Sequence, residues 1–139
     1  MSTKTLTLAV IFATAAWAGP PLICQEFDTE GAKSLPWTKG ADWHGADPHY
    51  NIARLTTDTL ALLTPQVPVS ARMETLRRAA IYATANVGVA DELTARLAAR
   101  ALDAEAAGKS DASAWFDAGY FVETIRQATF VYRDRKSVV

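Results

Sequence analysis

One cysteine, Cys24, stands alone in 139 residues, so no intramolecular disulfide can form and the fold has to hold by packing. Histidine is almost as scarce, with only His44 and His49. Surplus charge is lacking too: 14 Lys and Arg face 15 Asp and Glu, a formal net charge of −1. Nucleic-acid binding draws its affinity from clustered cations on phosphates, and this balance excludes that class. A basic amphipathic face for anionic membranes is missing as well. Beyond residue 18 no run is long and apolar enough to form a membrane helix.

What is present begins at the first residue. Lys4 gives a positive start, Leu6 to Ala16 an apolar stretch, and Ala16-Trp17-Ala18 a small-residue exit before Gly19. This is the pattern of a secretory signal peptide over residues 1–18. An apolar run of about a dozen residues covers about 18 Å as helix, too little for a hydrocarbon core of about 30 Å. Pro20 and Pro21 then prevent the helix from continuing. The expected product is an exported protein, periplasmic or secreted, of 121 residues, and loss of Lys4 takes its formal charge from −1 to −2. That length is one domain with a modest core. Ile23 stands where a lipid-modified cysteine normally follows a small residue, so Cys24 is not expected to carry a lipid anchor. Cys24 then reads either as a thiol for intermolecular pairing or as a small buried hydrophobe.

Composition divides the mature chain. Residues 19–47 hold four glycines, three prolines, Trp37 and Trp43 without a sustained period, the pattern of a long irregular arm. Residues 48–133 read as a helical bundle, followed by a tail at 134–139. The first helix is expected to start with Asp47 as N-cap and Pro48 as first residue, with Ile52, Leu55, Thr59, Leu62 and Leu63 on one face. The second is expected from Ser70 to Val87, closed by Asn86 and Gly88. The third, Ala90 to Ala107, is alanine-rich and carries a ladder of Glu92, Arg96, Arg100 and Asp103 that should face solvent. Gly108 ends it. The fourth, Ala112 to Arg133, has Trp115, Phe116, Ala118, Phe121, Val122, Ile125, Ala128 and Tyr132 on a broad apolar stripe, widened by Tyr120 and Phe130. A helix apolar over more than half its circumference should touch two neighbours. The fold class is therefore all-α, a single domain of about four antiparallel helices behind a long N-terminal arm.

Residues with chemical potential gather in the arm, in the run Asp42-Trp43-His44-Gly45-Ala46-Asp47-Pro48-His49. Imidazoles and carboxylates suit a divalent metal, but Gly45 and Pro48 keep the two histidines from forming a helical i, i+4 pair. Gly31-Ala32-Lys33-Ser34 lacks the glycines of a phosphate-binding loop, so no nucleotide is expected, and Leu35 and Trp37 should dock on the helices. Trp115, Ala118 and Gly119 fall on three positions of the tetratricopeptide W-x2-L-G-x2-Y pattern, but Val122 replaces its tyrosine and a single unit cannot bury its own face. Cys24, His44 and Asp42 include the residue types of nucleophilic catalysis, with no local motif that brings them together.

No catalytic residue, metal or cofactor is assigned on this basis. The expected role is non-catalytic binding of a protein partner or small ligand in the cell envelope or outside the cell, with Cys24, Trp37, Trp43, His44 and His49 as candidate contact residues. A small metal- or thiol-dependent enzyme centred on Cys24 to His49 is the competing reading. A third is a structural subunit of a homo-oligomer, formed by spare apolar surface on the first and fourth helices.

Overall fold

A computed structural model describes residues 22–136, with side chains through Tyr132. The expected signal peptide lies outside the described residues. Among them the protein is all-helical: α1 is Leu55–Leu62, α2 Val69–Ala83, α3 Val87–Ala106 and α4 Ala112–Lys136. Short 3-10 turns at Asp42–His44 and Ile52–Arg54 precede α1, and one isolated antiparallel bridge joins Trp37 to Ala46.

The helix boundaries follow the capping chemistry: Gly108 ends α3 as expected, while the start of α1 and the junction of α2 with α3 fall elsewhere. Asp47 does not cap α1. Its carboxylate accepts from the His49 N–H at 2.9 Å and its carbonyl from the Tyr50 N–H at 3.1 Å, which closes a local turn instead. Asn51 caps the 3-10 turn that leads into α1, through Ala53 N–H at 3.1 Å. Asn86, expected to close α2, instead caps α3 through Val89 N–H at 3.2 Å, so α2 stops at Ala83 and α3 starts at Val87. Gly108, at φ +69°, ends α3 in a Schellman arrangement: Lys109 N–H reaches Ala104 O and Gly108 N–H reaches Glu105 O, both at 2.9 Å. Asp111 caps α4 through Ala114 N–H at 3.0 Å, and α4 runs through residues 134–136, which were expected to be tail.

α4 packs against both α2 and α3, as its apolar breadth requires. α1 packs on α2 and α3, whereas the sequential helices α2 and α3 touch only slightly. Leu35, Leu55, Leu63, Leu76, Leu93, Leu97 and Phe121 fill the main core, with Tyr82 and the small residues Ala79, Ala80 and Ala83 of α2. Burial of each of these larger side chains contributes about 1.5–3 kcal/mol.

Two details depart from the simple bundle. Arg100 leaves the solvated ladder of α3: its Nη2 donates to Leu63 O at 3.1 Å, while Arg72 donates to Thr64 O at 2.7 Å and pairs with buried Asp117. Two cations thus donate to the carbonyls just beyond the C-terminus of α1. The second departure is the orientation of α4, whose buried side is Ala114, Asp117, Phe121, Thr124 and Ala128. Trp115, Phe116, Val122 and Phe130, expected in one stripe with Phe121, point outward.

Candidate interaction surface

The arm lies on α2, and its attachment consumes most of the charge on that helix. An irregular segment packed against a core leaves backbone groups without helical partners, and each has to be satisfied. Arg77, wholly buried, donates to Ile23 O at 2.9 Å, to Asp42 O at 3.3 Å and through both Nε and Nη2 to Glu74 at 2.8 Å. Arg78 donates to Leu35 O and to Glu74, each at 2.6 Å. Glu74 also accepts from Phe27 N–H at 3.0 Å. Tyr82 donates to Pro36 O at 2.6 Å and accepts from Asp47 N–H at 2.9 Å. Burial on its own would raise the Glu74 carboxyl, but the hydrogen bonds from Arg77, Phe27 and Arg78 outweigh it and hold the group below its ordinary value.

The arm also reaches α4. Leu22 N–H donates to Gln127 at 2.6 Å, Ile23 is wholly buried against Ile81 and Ala128, and Tyr132 donates to Trp43 O at 3.0 Å. Leu35 and Trp37 dock on the helices as the sequence indicates.

The five arm residues singled out from sequence have different places in this arrangement. Trp37 is half-buried, edge-on to Tyr82 at 6.1 Å, with Arg77 4.9 Å above its ring and its Nε1 donating to Glu26. It is part of the clamp between arm and α2. Cys24 is a half-buried free thiol beside Ile23 and Ala128. Trp43 lies edge-on to Tyr132 at 5.5 Å, and His44, exposed, lies against it at 4.0 Å. His49 is exposed in the turn that Asp47 closes. Trp43 and His44 are thus brought together. Among the described residues no three His, Cys, Asp or Glu side chains gather as a metal-binding group.

The surface that none of the five candidate contact residues marks is the outer side of α4, one of the two helices on which spare apolar surface is expected from the sequence. Ala112, Trp115, Gly119, Val122, Arg126 and Thr129 recur at alternating three- and four-residue steps, and all six are exposed. Phe116 and Phe130 flank the row. Val122 is 48 % exposed and Phe130 70 %, large apolar groups left in water on a helix whose inner side buries Asp117 and Thr124. These side chains are held in position. Trp115 Nε1 donates to Glu105 at 3.1 Å, and Phe116 stacks on Tyr120 with ring centroids 5.3 Å apart. A shallow groove adjoins the row, where Ile125 and Thr129 of α4 meet Val87, Ala90 and Thr94 of α3. The spacing of the outer row was visible in the sequence, but α4 carries a second row with the same spacing at Ala114, Asp117, Phe121, Thr124 and Ala128, and periodicity does not say which one faces inward.

Compared with known proteins, the chain matches no family model, no curated protein and no solved structure. No helix among the described residues is long and apolar enough to cross a membrane.

Proposed function

We propose that this chain is an exported, non-catalytic interaction protein of the cell envelope or extracellular space, and that it binds a partner through the outer side of α4. The observation that carries this reading is the division of labour among side chains. Glu74, Arg77, Arg78 and Trp37, the strongest polar and aromatic groups of the arm and α2, are engaged in attaching one to the other. Of the large exposed apolar groups among the described residues, Trp115, Phe116, Val122 and Phe130 share α4, including every aromatic one, whereas Val69 of α2 and Val87 and Leu102 of α3 are aliphatic and scattered. Interfaces are enriched in aromatic side chains, and Trp115 and Phe116 are presented in fixed orientations. The exposed positions of His44 and His49 favour binding over a metal- or thiol-dependent centre. Export rests on the signal pattern at residues 1–18.

A photo-crosslinking residue at Val122, compared with one at exposed Glu92 on α3, tests the binding surface in cells that make the protein. Discrete adducts from position 122 and none from position 92 are expected. No adduct at 122, or the same adducts from both positions, overturns the assignment.

A further inference from the structure

We infer that the partner of the α4 outer row is a second copy of this chain, docked antiparallel so that the two α4 helices cross near Gly119 and Val122. The inference rests on the interaction reading above and specifies its occupant. A two-fold interface must be complementary to itself, which is a strict demand on a row of side chains. In heptad terms Ala112, Gly119 and Arg126 occupy one seam position, and Trp115, Val122 and Thr129 the other.

Antiparallel pairing sets each residue of the first group against one of the second. Ala112 then faces Thr129, Gly119 faces Val122 and Trp115 faces Arg126, each pair occurring twice. Every layer sets a small or slender side chain against a larger one. The Trp115–Arg126 layer places the flat face of a guanidinium, whose edge donates to Glu123 at 2.7 and 2.9 Å, against an indole, a favourable cation–π combination. Parallel pairing would instead set Trp115 against Trp115 and Arg126 against Arg126, and so forgo the indole–guanidinium layer. Gly119 marks the crossing: it is exposed, and a Cβ built there meets nothing within 4 Å, so a neighbouring helix can approach its backbone closely. The row from Ala112 to Phe130 spans about 27 Å at 1.5 Å per residue. Two helices touching over that length alone, flanked by Phe116 and Phe130, make a short contact, which fits a reversible dimer better than an obligate one.

The register allows a test by charge complementation, using the mature chain from Gly19 in reducing buffer so that Cys24 cannot link two copies. Sedimentation velocity of the unaltered chain should show mass rising from monomer to dimer with concentration. Gly119→Lys and Val122→Glu should each stay monomeric at concentrations where the unaltered chain is dimeric, with unchanged helical circular dichroism because both positions are exposed. Mixing the two variants should restore dimer, since position 119 of one copy meets position 122 of the other and the second such layer keeps its original residues. A monomer at every concentration overturns the inference. So does a dimer that survives both substitutions, or a mixture that fails to rescue. If the unaltered chain is monomeric while position 122 still crosslinks to another protein, the interaction reading stands and only the second copy is lost.

Discussion

Arg77 reaches Ile23 across 54 residues of sequence, its Nη1 donating to the Ile23 carbonyl at 2.9 Å while the Ile23 side chain is wholly buried. The residue directly before the lone cysteine is thus part of the core. Lipid processing would cut ahead of Cys24 and remove that residue. Cleavage after Ala18 leaves the attachment intact.

If the proposed export holds, the mature protein should have the intact mass of 121 residues starting at Gly19. A chain begun at Cys24 should lose roughly 2–4 kcal/mol of stability, the cost of emptying one large buried aliphatic site. Urea unfolding of the two chains checks this, and equal midpoints would contradict the role given to Ile23.

Arg77→Met should cost about 3–5 kcal/mol, because it takes a bidentate partner from the buried Glu74 carboxylate, leaving it to Arg78 and the Phe27 N–H, and strips two arm carbonyls of their donor. Adding Glu74→Leu to that variant removes the carboxylate whose compensation was halved. The double variant should therefore be less destabilised than the two single variants combined, a coupling that a double-mutant cycle in urea measures.

Glu74 also sets a pH dependence. Its folded pKa is lowered, so the folded chain binds fewer protons than the unfolded one near the ordinary carboxylate value. The stabilisation is complete above the unfolded value of about 4.3 and is lost as pH falls through the folded one. Asp117 works in the opposite sense: burial dominates over Arg72 and Arg100 and raises its carboxyl, so its ionisation costs stability as pH rises through the window. Glu74→Gln should begin less stable at neutral pH and lose less on acidification. Urea midpoints from about pH 7 to pH 3 would show the flatter profile, and parallel profiles would refute it.

Gly45→Ala should disrupt the arm without touching the helices. The residue is buried, and an added Cβ would lie 2.3 Å from Trp37 Nε1 and 2.6 Å from Thr38 O, beside the bridge that Trp37 makes with Ala46. A cost of roughly 1–3 kcal/mol follows from such overpacking. A changed tryptophan emission with unchanged helical circular dichroism would locate the damage in the arm.

The helices were legible because their signals are local. Pro68, Gly108 and the three- and four-residue recurrence of apolar side chains mark elements within a few positions of themselves. Asn86 shows the limit of such signals: the same residue can close one helix or open the next, and here the N-cap bond to Val89 decides. The buried charges of α2 were harder to read, since Glu74, Arg77 and Arg78 resemble a solvated face until the arm is laid across them. An indirect sign existed. An arm of nearly thirty residues without regular structure needs donors for its carbonyls, and a Glu-x-x-Arg-Arg cluster among small residues can supply them. The candidate contact residues were chosen from the arm because unusual residue types collect there, whereas the proposed surface on α4 is made of ordinary ones whose placement depends on which side of the helix the core occupies.

The bond from Leu22 to Gln127 bridges 105 residues. It sets an order on folding that the helices alone would not. The arm's anchors on α2 are available before the chain is finished, whereas those on α4 close only when the final helix exists. Helical proteins rich in near-neighbour contacts fold fast, but closing one end of a chain onto the other slows the final step. Until then Ile23 has Ile81 beneath it but lacks its cover from Ala128, while Glu74, Arg77 and Arg78 already pair within α2, so the last helix seals an attachment that the second one begins.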